Sequence, residues 1–385
     1  MKQASALVAA ALSLTACGGS SSPAVAAHPL TYRVLVDGHT AANAAALSAF
    51  FPRVVRVHAG DTVVFHLMPS GLPHTVAFGT SVDKALGKIE TLTRTDPQAL
   101  DAGPPKEYLA IPQLLPQDSA DADQAAAQPC VAAAGAALPA DKACQNQSLD
   151  AYDGHQQLAT SGWLAPTQDW SLRFATSTKP GTYRFVCQVH GPDMAGAVQV
   201  EPAATAVKDP AAVEAEGLAA RDALLQGVQP GFELLKQATA GHALAGSGDP
   251  GAPSALITAF GPRDVTVVVG HPVAWTVIGT HSLAFNAPQD ARGLRQEGQA
   301  GAVHISPKAS LPAGGKGAGP AVPEPPSVID GGRWSGKGFR SSGLIFGPPP
   351  PHTTSFRLTF TKPGRYTLVC LVHPDMTGSV TVKAR

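Results

Sequence analysis

The chain has 385 residues, of which 44% are hydrophobic and 15% are charged, and its 28 basic residues balance its 28 acidic ones. This balance creates no field that would favour nucleic acid or an anionic membrane surface as a partner. The length is enough for two domains with separate cores, and 39 Gly and 35 Pro indicate a loop-rich, all-β architecture with long unstructured insertions.

The N-terminus predicts export. An apolar run from Ala6 to Leu14 follows the initial Met-Lys pair, and it is too short to cross a bilayer but typical of a signal-peptide core. The sequence from Leu14 to Cys17 resembles a bacterial lipobox, which implies cleavage before Cys17 and a lipid on its thiol. Ordinary secretory cleavage after Ala16, or near residues 24–26, is the alternative.

Alternating apolar residues predict the strands of the first half. A first strand is expected at Tyr32–Val36, and a second alternating run leads through Gly60–Phe65 to His74. The sequence then leaves the predicted sandwich for an insertion over about 83–160, which is rich in Ala, Asp, Gln and Pro. Insertions of this length are usually functional or disordered.

Two cysteines lie close together in this insertion. Because an exported protein meets an oxidising environment, we expect Cys130 and Cys144 to form a disulfide. Two free thiols in a flexible loop are the alternative.

The first half ends on a segment that carries three kinds of metal-binding side chain. From Lys179 to Met194 the sequence reads KPGTYRFVCQVHGPDM, which places a thiol, an imidazole and a thioether at one strand end and its loop. The upstream histidine supplies a second imidazole from another strand end. The first candidate ligand set is His74, Cys187, His190 and Met194.

Between the halves, the sequence predicts a partly helical linker over 202–253. Asp209 is a suitable N-cap with proline in the first helical position, and the helix is expected to run to Leu225 with Gly227 as its stop. A second short helix is expected over Phe232–Ala238. This linker would either hold the two domains at a fixed distance or only tether them.

The second half repeats the first. An alternating run after Arg263 leads to an upstream histidine, and an insertion over about 290–340 occupies the same position between this histidine and the cysteine. The sequence from Lys362 to Met376 reads KPGRYTLVCLVHPDM. The second candidate ligand set is His281, Cys370, His373 and Met376.

The combination of ligand types points to copper. Soft sulfur ligands together with imidazole select this metal, and a trigonal His2Cys set with a long axial Met is the blue-copper electron-transfer arrangement. A lone Cys-x-x-His could be a fragment of a zinc site, and a buried Met or Cys is often only a core residue. The repetition favours copper, because two of the three methionines other than Met1 occupy the ligand position.

With these residues in both halves, the chain resembles the cupredoxin family, in particular its plastocyanin-like and amicyanin-like members. The resemblance covers about 31–81 and 161–201 in the first half, and about 254–287 and 341–384 in the second. It implies two Greek-key β-sandwiches, each holding one type 1 copper ion, with no reaction beyond one-electron transfer.

The resemblance also implies roles for residues near the ligands. Thr75 and Ser282 follow the upstream histidines, where many family members have Asn. Their hydroxyls either tie the two ligand loops together as a second shell or bond to their own backbone. The family's electron-passing histidine corresponds to His190 and His373. The loop from this histidine to the Met is one residue shorter in the second half, so we expect different reduction potentials and, as a consequence, a directional relay.

Three other functions compete with this one. A multicopper oxidase or copper nitrite reductase needs further copper sites built from His-x-His or His-Cys pairs, and the sequence contains neither pattern. An extracytoplasmic copper carrier or storage lipoprotein would use the same ligand types with looser geometry. A third possibility is that one domain serves mainly to dock a partner.

We therefore predict an exported, lipid-anchored blue copper protein that is not an enzyme. It would shuttle electrons between a donor and an acceptor redox protein, in the periplasm or at the cell surface of a bacterium. The predicted organisation is a signal peptide (1–17), a tether (18–30), cupredoxin domain 1 (31–201), a linker (202–253) and cupredoxin domain 2 (254–385).

Overall fold

The computed structural model describes residues 29–38, 44–69, 74–96, 129–135, 149–164, 167–188, 190–248, 254–292, 294–296, 303–315, 317, 327–347, 352–373 and 375–385. These residues form two β-sandwiches, one in each half of the chain, with two consecutive helices between them. The predicted fold class is confirmed. Among the described residues, no helix is long and apolar enough to cross a membrane.

The described residues of the first half form eleven strands and one helix. In chain order they are β1 (Thr31–Val36), β2 (Ala45–Leu47), β3 (Phe50–Phe51), β4 (Val54–His58), β5 (Thr62–Leu67), β6 (Ala77–Phe78), α1 (Thr80–Thr95), β7 (Cys130–Ala132), β8 (Leu158–Thr160), β9 (Asp169–Arg173), β10 (Gly181–Cys187) and β11 (Gly191–Glu201). One sheet of the first sandwich has the order β3-β1-β5-β9, and the other has the order β4-β11-β10-β6-β8-β7.

The linker and the second half follow. The linker helices are α2 (Pro210–Gly227) and α3 (Gln229–Gln237). The remaining elements are β12 (Ala243–Gly248), β13 (Ala255–Gly261), β14 (Asp264–Val268), β15 (Pro272–Val277), β16 (Gly279–His281), β17 (Ala284–Phe285), β18 (Leu294–Gln296), β19 (Val303–Ile305), α4 (Pro307–Ser310), β20 (Pro312–Ala313), β21 (Ser327–Trp334), β22 (Arg340–Ser342), β23 (Ile345–Gly347), β24 (Thr354–Phe360), β25 (Gly364–Val369) and β26 (Thr377–Lys383).

The sheets of the second sandwich repeat the pattern of the first. Their orders are β2-β13-β12-β15-β24-β21 and β14-β26-β25-β17-β22-β20, and small two-stranded sheets pair β16 with β23 and β18 with β19. In both halves the first strand runs parallel to the strand that precedes the upstream histidine. Strand β12 lies within the segment predicted as linker, so that segment also supplies a strand of the second sandwich.

Each sandwich has an apolar core formed by the inward side chains of its strands. In β5, buried and partly buried residues alternate, as expected for a strand with one face on the core. Phe65 from this strand lies edge-on to Phe50 and Phe185, with ring centroids 6.1 and 5.0 Å apart. The cysteine and methionine of each candidate ligand set belong to the same buried clusters. The candidate sites are therefore built onto the cores rather than onto mobile surface.

The first predicted insertion contains regular structure. Helix α1 begins at Thr80 and buries Val82, Ala85 and Leu86 against the sheet. Strands β7 and β8, at the far end of the insertion, extend that sheet by antiparallel pairing. The expectation that the insertions are unstructured is therefore wrong for these parts, because the first turns of α1 present an apolar face that the sheet covers.

The linker helices start and stop close to the predicted positions. The Asp209 side chain accepts a hydrogen bond of 3.0 Å from the Ala212 N–H at the start of α2. Helix α2 packs on β1 and β3 of the first sandwich, whereas α3 packs on β12 and β13 of the second. The linker therefore fills the space between the two sandwiches instead of tethering them loosely.

A strand from the first half completes a sheet of the second. Strand β2 pairs antiparallel with β13, with Ala46 opposite Leu256. A buried apolar cluster surrounds this contact and includes side chains from both halves and from the linker. Its buried members are Leu35, Ala45, Leu47, Ala49, Phe51, Val228, Leu235, Ala255 and Ile257.

Candidate metal centres

The first candidate site lies at one end of the first sandwich, where three chain segments meet. Cys187 is the last residue of β10, and Met194 lies in the first part of β11. His74 pairs with Leu164 in an isolated bridge before β6. Cys187 Sγ lies 3.4 Å from His190 Nδ1 and 3.9 Å from His74 Nδ1, and Met194 Sδ lies 3.2 Å from His74 Nδ1. Four soft or borderline donors thus converge on one point.

The second site repeats this arrangement. His281 ends β16, and Cys370 follows β25. Cys370 Sγ lies 3.4 Å from His373 Nδ1, and the two imidazole Nδ1 atoms lie 3.0 Å apart. The backbone of Met376 bonds to Cys370 and His373, at 3.0 Å each, and its side chain belongs to the same buried cluster as the cysteine.

All eight predicted ligands are therefore brought into two groups. In each group the His, Cys and His ligand atoms lie within 4.8 Å of one another. The upstream histidines, cysteines and methionines are at most 1% exposed, while His190 is partly exposed and His373 is 8% exposed. The donor set suits copper, because each group offers one thiol sulfur, two imidazole nitrogens and one thioether in a largely buried position.

The residues that follow the upstream histidines lie where the sequence placed them. The Thr75 N–H points at Cys187 Sγ over 3.4 Å, and the Thr75 hydroxyl accepts a 2.8 Å hydrogen bond from the Gln188 N–H. In the second half, the Ser282 N–H lies 3.4 Å from Cys370 Sγ, and its hydroxyl accepts from Leu371 at 2.8 Å. Each hydroxyl thus joins the histidine segment to the cysteine segment.

Sequence reasoning missed Asp37, which touches the first site from behind. His74 Nε2 donates to Asp37 Oδ2 over 2.8 Å, and both side chains are fully buried. The other oxygen of the carboxylate accepts the N–H of Leu47 at 2.9 Å. The only signal in the sequence is an acidic residue placed directly after the first predicted strand.

The electrostatics of the two sites differ as a result. Burial lowers the pKa of His74, but the hydrogen bonds and charges of Asp37 and Cys187 outweigh it and raise the pKa to about 9. Burial lowers the pKa of His281 to about 4, although the backbone carbonyl of Ile278 acts in the opposite direction. The difference arises because the first imidazole has a carboxylate partner and the second does not face one among the described residues.

The cysteines show the same contrast. Burial alone would raise the pKa of Cys187, but the neighbouring His190 and His74 hold it well below its usual range. Burial raises the pKa of Cys370, and nearby backbone N–H groups only partly oppose this effect. The first site therefore favours a thiolate more strongly than the second.

Of the remaining cysteines, only Cys130 lies among the described residues. Cys187 and Cys370 are free thiols, and Cys130 is disulfide-bonded. Cys144, its predicted partner, and Cys17, the predicted lipidation site, lie outside the described residues. The disulfide between Cys130 and Cys144 and the lipid anchor stay predictions.

Comparison with known proteins gives structural likenesses only. No protein-family model and no curated protein matches the chain. Reduced auracyanin from the photosynthetic bacterium Roseiflexus castenholzii is similar at 18% identity over 46% of this chain and 100% of its own, with a TM-score of 0.22. Oxidised plastocyanin from Dryopteris crassirhizoma is similar at 20% identity over 37% and 99%, with a TM-score of 0.18.

A larger protein is also similar. The Cu-containing nitrite reductase of Thermus scotoductus matches at 13% identity over 92% of this chain and 68% of its own, with a TM-score of 0.22. At such identities and TM-scores these likenesses carry no argument about function. The strands and side chains of this chain define its class themselves, as an all-β protein of two sandwiches, each with a buried His-Cys-His group and a methionine.

Proposed function

We propose that both sandwiches are cupredoxin domains, each holding one type 1 copper ion, and that the protein carries out one-electron transfer. The observation that supports this most is the twofold occurrence of a buried Cys Sγ beside two His Nδ1 atoms, with a Met in the same cluster. Copper in such a site would supply a one-electron couple. The residues would hold each ion at the end of its sandwich, where the strands that carry them end or begin.

The site geometry supports electron transfer better than copper carriage. In each half, an N–H group lies 3.4 Å from the cysteine sulfur, and a hydroxyl joins the two ligand segments. These contacts fix the ligands before a metal binds, so little rearrangement would accompany a change in its charge. A carrier that must release copper would gain nothing from ligands this deeply buried.

The wider setting is part of the proposal. A lipid-anchored location outside the cytoplasm follows from the lipobox-like sequence ending at Cys17, and donor and acceptor redox proteins are the partners that electron transfer requires. We propose no enzymatic reaction, because the sequence contains none of the His-x-His or His-Cys pairs that a further copper site would use. The partly exposed His190 is the proposed point of electron entry.

The first test is copper content and visible absorption of the purified protein, beside Cys187→Ser and Cys370→Ser variants. We expect two copper ions per chain and an intense blue band that bleaches reversibly on reduction. Each single substitution should halve this band, and the double substitution should abolish it. A colourless protein whose copper survives loss of both thiols would contradict the proposal and favour a copper carrier.

A further inference from the structure

Asp37 occupies a backbone position that few residue types accept. It follows β1 with a φ of 63°, in the left-handed region that disfavours most side chains but tolerates Asp, Asn and Gly. In this conformation its side chain turns inward and becomes fully buried. Because a carboxylate in the core is costly unless it is hydrogen-bonded, its burial here points to partners within the fold.

The contacts of this carboxylate identify those partners. One oxygen accepts the His74 Nε2–H at 2.8 Å, and the other accepts the N–H groups of Gly38 and Leu47 at 2.5 and 2.9 Å. Because these three partners are donors, the group is suited to be ionised. Since His74 Nδ1 faces the cysteine and the methionine, a metal bound there would leave the proton on Nε2 for Asp37.

The equivalent position of the second half is a glycine. Val36 pairs with the last residue of β5, and Ala245 pairs in the same way with the last residue of β15. The next residues are Asp37 and Gly246, and Gly246 also has a positive φ, of 82°. A Cβ atom on Gly246 would lie 2.2 Å from His281 Nε2, so this position has no room for a carboxylate.

The second imidazole therefore lacks the partner that the first one has. Among the described residues, no atom accepts a hydrogen bond from His281 Nε2 with normal geometry. The two candidate sites thus have matching donor sets but different surroundings, because among the described residues a carboxylate lies behind the first buried histidine and none lies behind the second. An ionised carboxylate in such a buried position acts strongly on its neighbours.

We propose, on the basis of the proposed function, that Asp37 is a positioning residue that makes the first site the lower-potential one. Its charge and its hydrogen bond favour copper(II) over copper(I) at His74. With copper in both sites, one electron would pass from copper(I) in the first site to copper(II) in the second, with no bond formed and no proton moved. Asp37 in this way sets the direction of transfer within the chain.

The residues behind the two upstream histidines contact strands of the same sheet. Leu47, which holds the second oxygen of Asp37, lies in β2, and Gly246 lies in β12. Only β13 separates these strands in their sheet; along β13, Leu47 lies opposite Ala255, whereas Gly246 lies at the irregularity between Ile257 and Phe260. The sides of both sites that are remote from the metal therefore face the same hydrogen-bonded sheet.

The test measures the reduction potential of each site by spectroelectrochemical titration. Cys370→Ser isolates the first site and Cys187→Ser isolates the second, and copper content is checked in each. We expect the first site to have the lower potential. Asp37→Asn and Asp37→Gly should both shift the reduction potential of the first site to more positive values and leave that of the second site unchanged. The glycine variant copies the second half, and glycine accepts the backbone angle at this position.

A matched control comes from a second imidazole–carboxylate pair among the described residues of this sandwich. His66 and Asp169 lie 2.6 Å apart at the surface and away from both ligand groups, so Asp169→Asn should leave both potentials unchanged. An Asp37 variant that binds copper with an unshifted potential would overturn the inference. A protein that binds no copper would instead overturn the proposed function.

A second measurement applies even if the Asp37 variants fail to load copper. Adding one electron per molecule to the oxidised wild-type protein should reduce the second site first. Electron paramagnetic resonance, with spectra assigned from the single-site variants, shows which copper(II) signal is lost. Loss of the first-site signal first would overturn the inference.

Discussion

At the scale of single residues, one hydroxyl in each half joins the two segments that supply the ligands. Thr75 accepts the Gln188 N–H at 2.8 Å, and Ser282 accepts that of Leu371 at the same distance. Both residues are fully buried, so the backbone N–H groups that donate to them have no water molecule available as an alternative acceptor. Of the two readings that the sequence leaves open, the structure shows the bridge between loops.

Replacing Thr75 with Val removes this bridge while keeping the side chain's shape. The Gln188 N–H would then be buried without an acceptor, which costs about 1–3 kcal/mol. We expect the free energy of unfolding, measured with urea, to fall by that amount. Thr91→Val is the control, because its hydroxyl bonds to Gly87 on the exposed face of α1, and surface changes usually stay within about 0.5 kcal/mol.

The grouping of the candidate ligand residues could be predicted from the sequence, whereas the contact of Asp37 could not. The cysteine, the downstream histidine and the methionine share one strand end, and their spacing is visible without a structure. The contact between Asp37 and His74 joins residues 37 positions apart and depends on parallel pairing of β1 with β5. Pairing of this kind leaves no periodic signal that a single sequence reveals.

At the scale of elements, α1 is the main feature that the sequence analysis missed. Its buried residues Val82, Ala85 and Leu86 recur at helical spacing, but the surrounding insertion has the composition of a loop. Two of its carboxylates contact one arginine of β10, with Glu90 2.7 Å and Asp83 3.9 Å from the Arg184 guanidinium. The predicted linker helices had clearer signals, since an N-cap and a proline mark the start of α2.

The two carboxylates of α1 predict opposite responses to acid. The hydrogen bond from Arg184 lowers the pKa of Glu90 below 4.5, so its stabilising contribution is present above that pH and lost as the pH falls further. Burial raises the pKa of Asp83 above 3.8, so the folded state binds this proton first and gains stability as the pH falls. Glu90→Gln should therefore make the protein less sensitive to acid, and Asp83→Asn should make it more sensitive.

Urea unfolding at pH values above and below 4.5 measures both effects. Because Glu90 is 60% exposed, its effect should be small and should weaken with added salt. If the free energy of unfolding changes with pH by the same amount in the wild type and in both variants, the proposed contacts of these carboxylates in the docking of α1 are contradicted.

Two glycines of α2 predict opposite effects of the same substitution. A Cβ on Gly217 would lie 2.7 Å from the Phe51 carbonyl oxygen, so Gly217→Ala should force α2 away from the first sandwich and cost about 1–3 kcal/mol. Gly227 has nothing within 4 Å of such an atom, so Gly227→Ala should be neutral or add up to about 1 kcal/mol. Thermal unfolding compares the two, and equal effects would show that α2 does not pack tightly.

At the scale of the whole molecule, the two sandwiches share a buried interface. Leu47, fully buried in β2, packs with Val228 and Leu235 of the linker region and with Ile257 of the second sandwich. The sequence predicted two domains and a linker, but it left open whether they were coupled. Contacts between distant segments are not encoded in local patterns, so only the fold reveals this.

The shared interface predicts that the two halves unfold together. Leu47→Asp buries an unpaired charge in it, and we expect the single calorimetric transition of the wild type to separate into two. Val328→Asp is the control, because this side chain is 63% exposed in the second sandwich. Two transitions in the wild type, or one in the Leu47 variant, would show that the halves are not coupled through this contact.

The pairing of β2 with β13 has an implication for the ancestry of the chain. When the two repeats are aligned on Pro52 and Pro262, which both follow cis peptide bonds, the counterpart of Ala46 is Leu256, and this is the residue that Ala46 faces. A strand that meets its own counterpart in antiparallel register is what a twofold-symmetric homodimer contains. The two halves of this chain pair as the two subunits of such a dimer would, and they differ at Asp37 and Gly246.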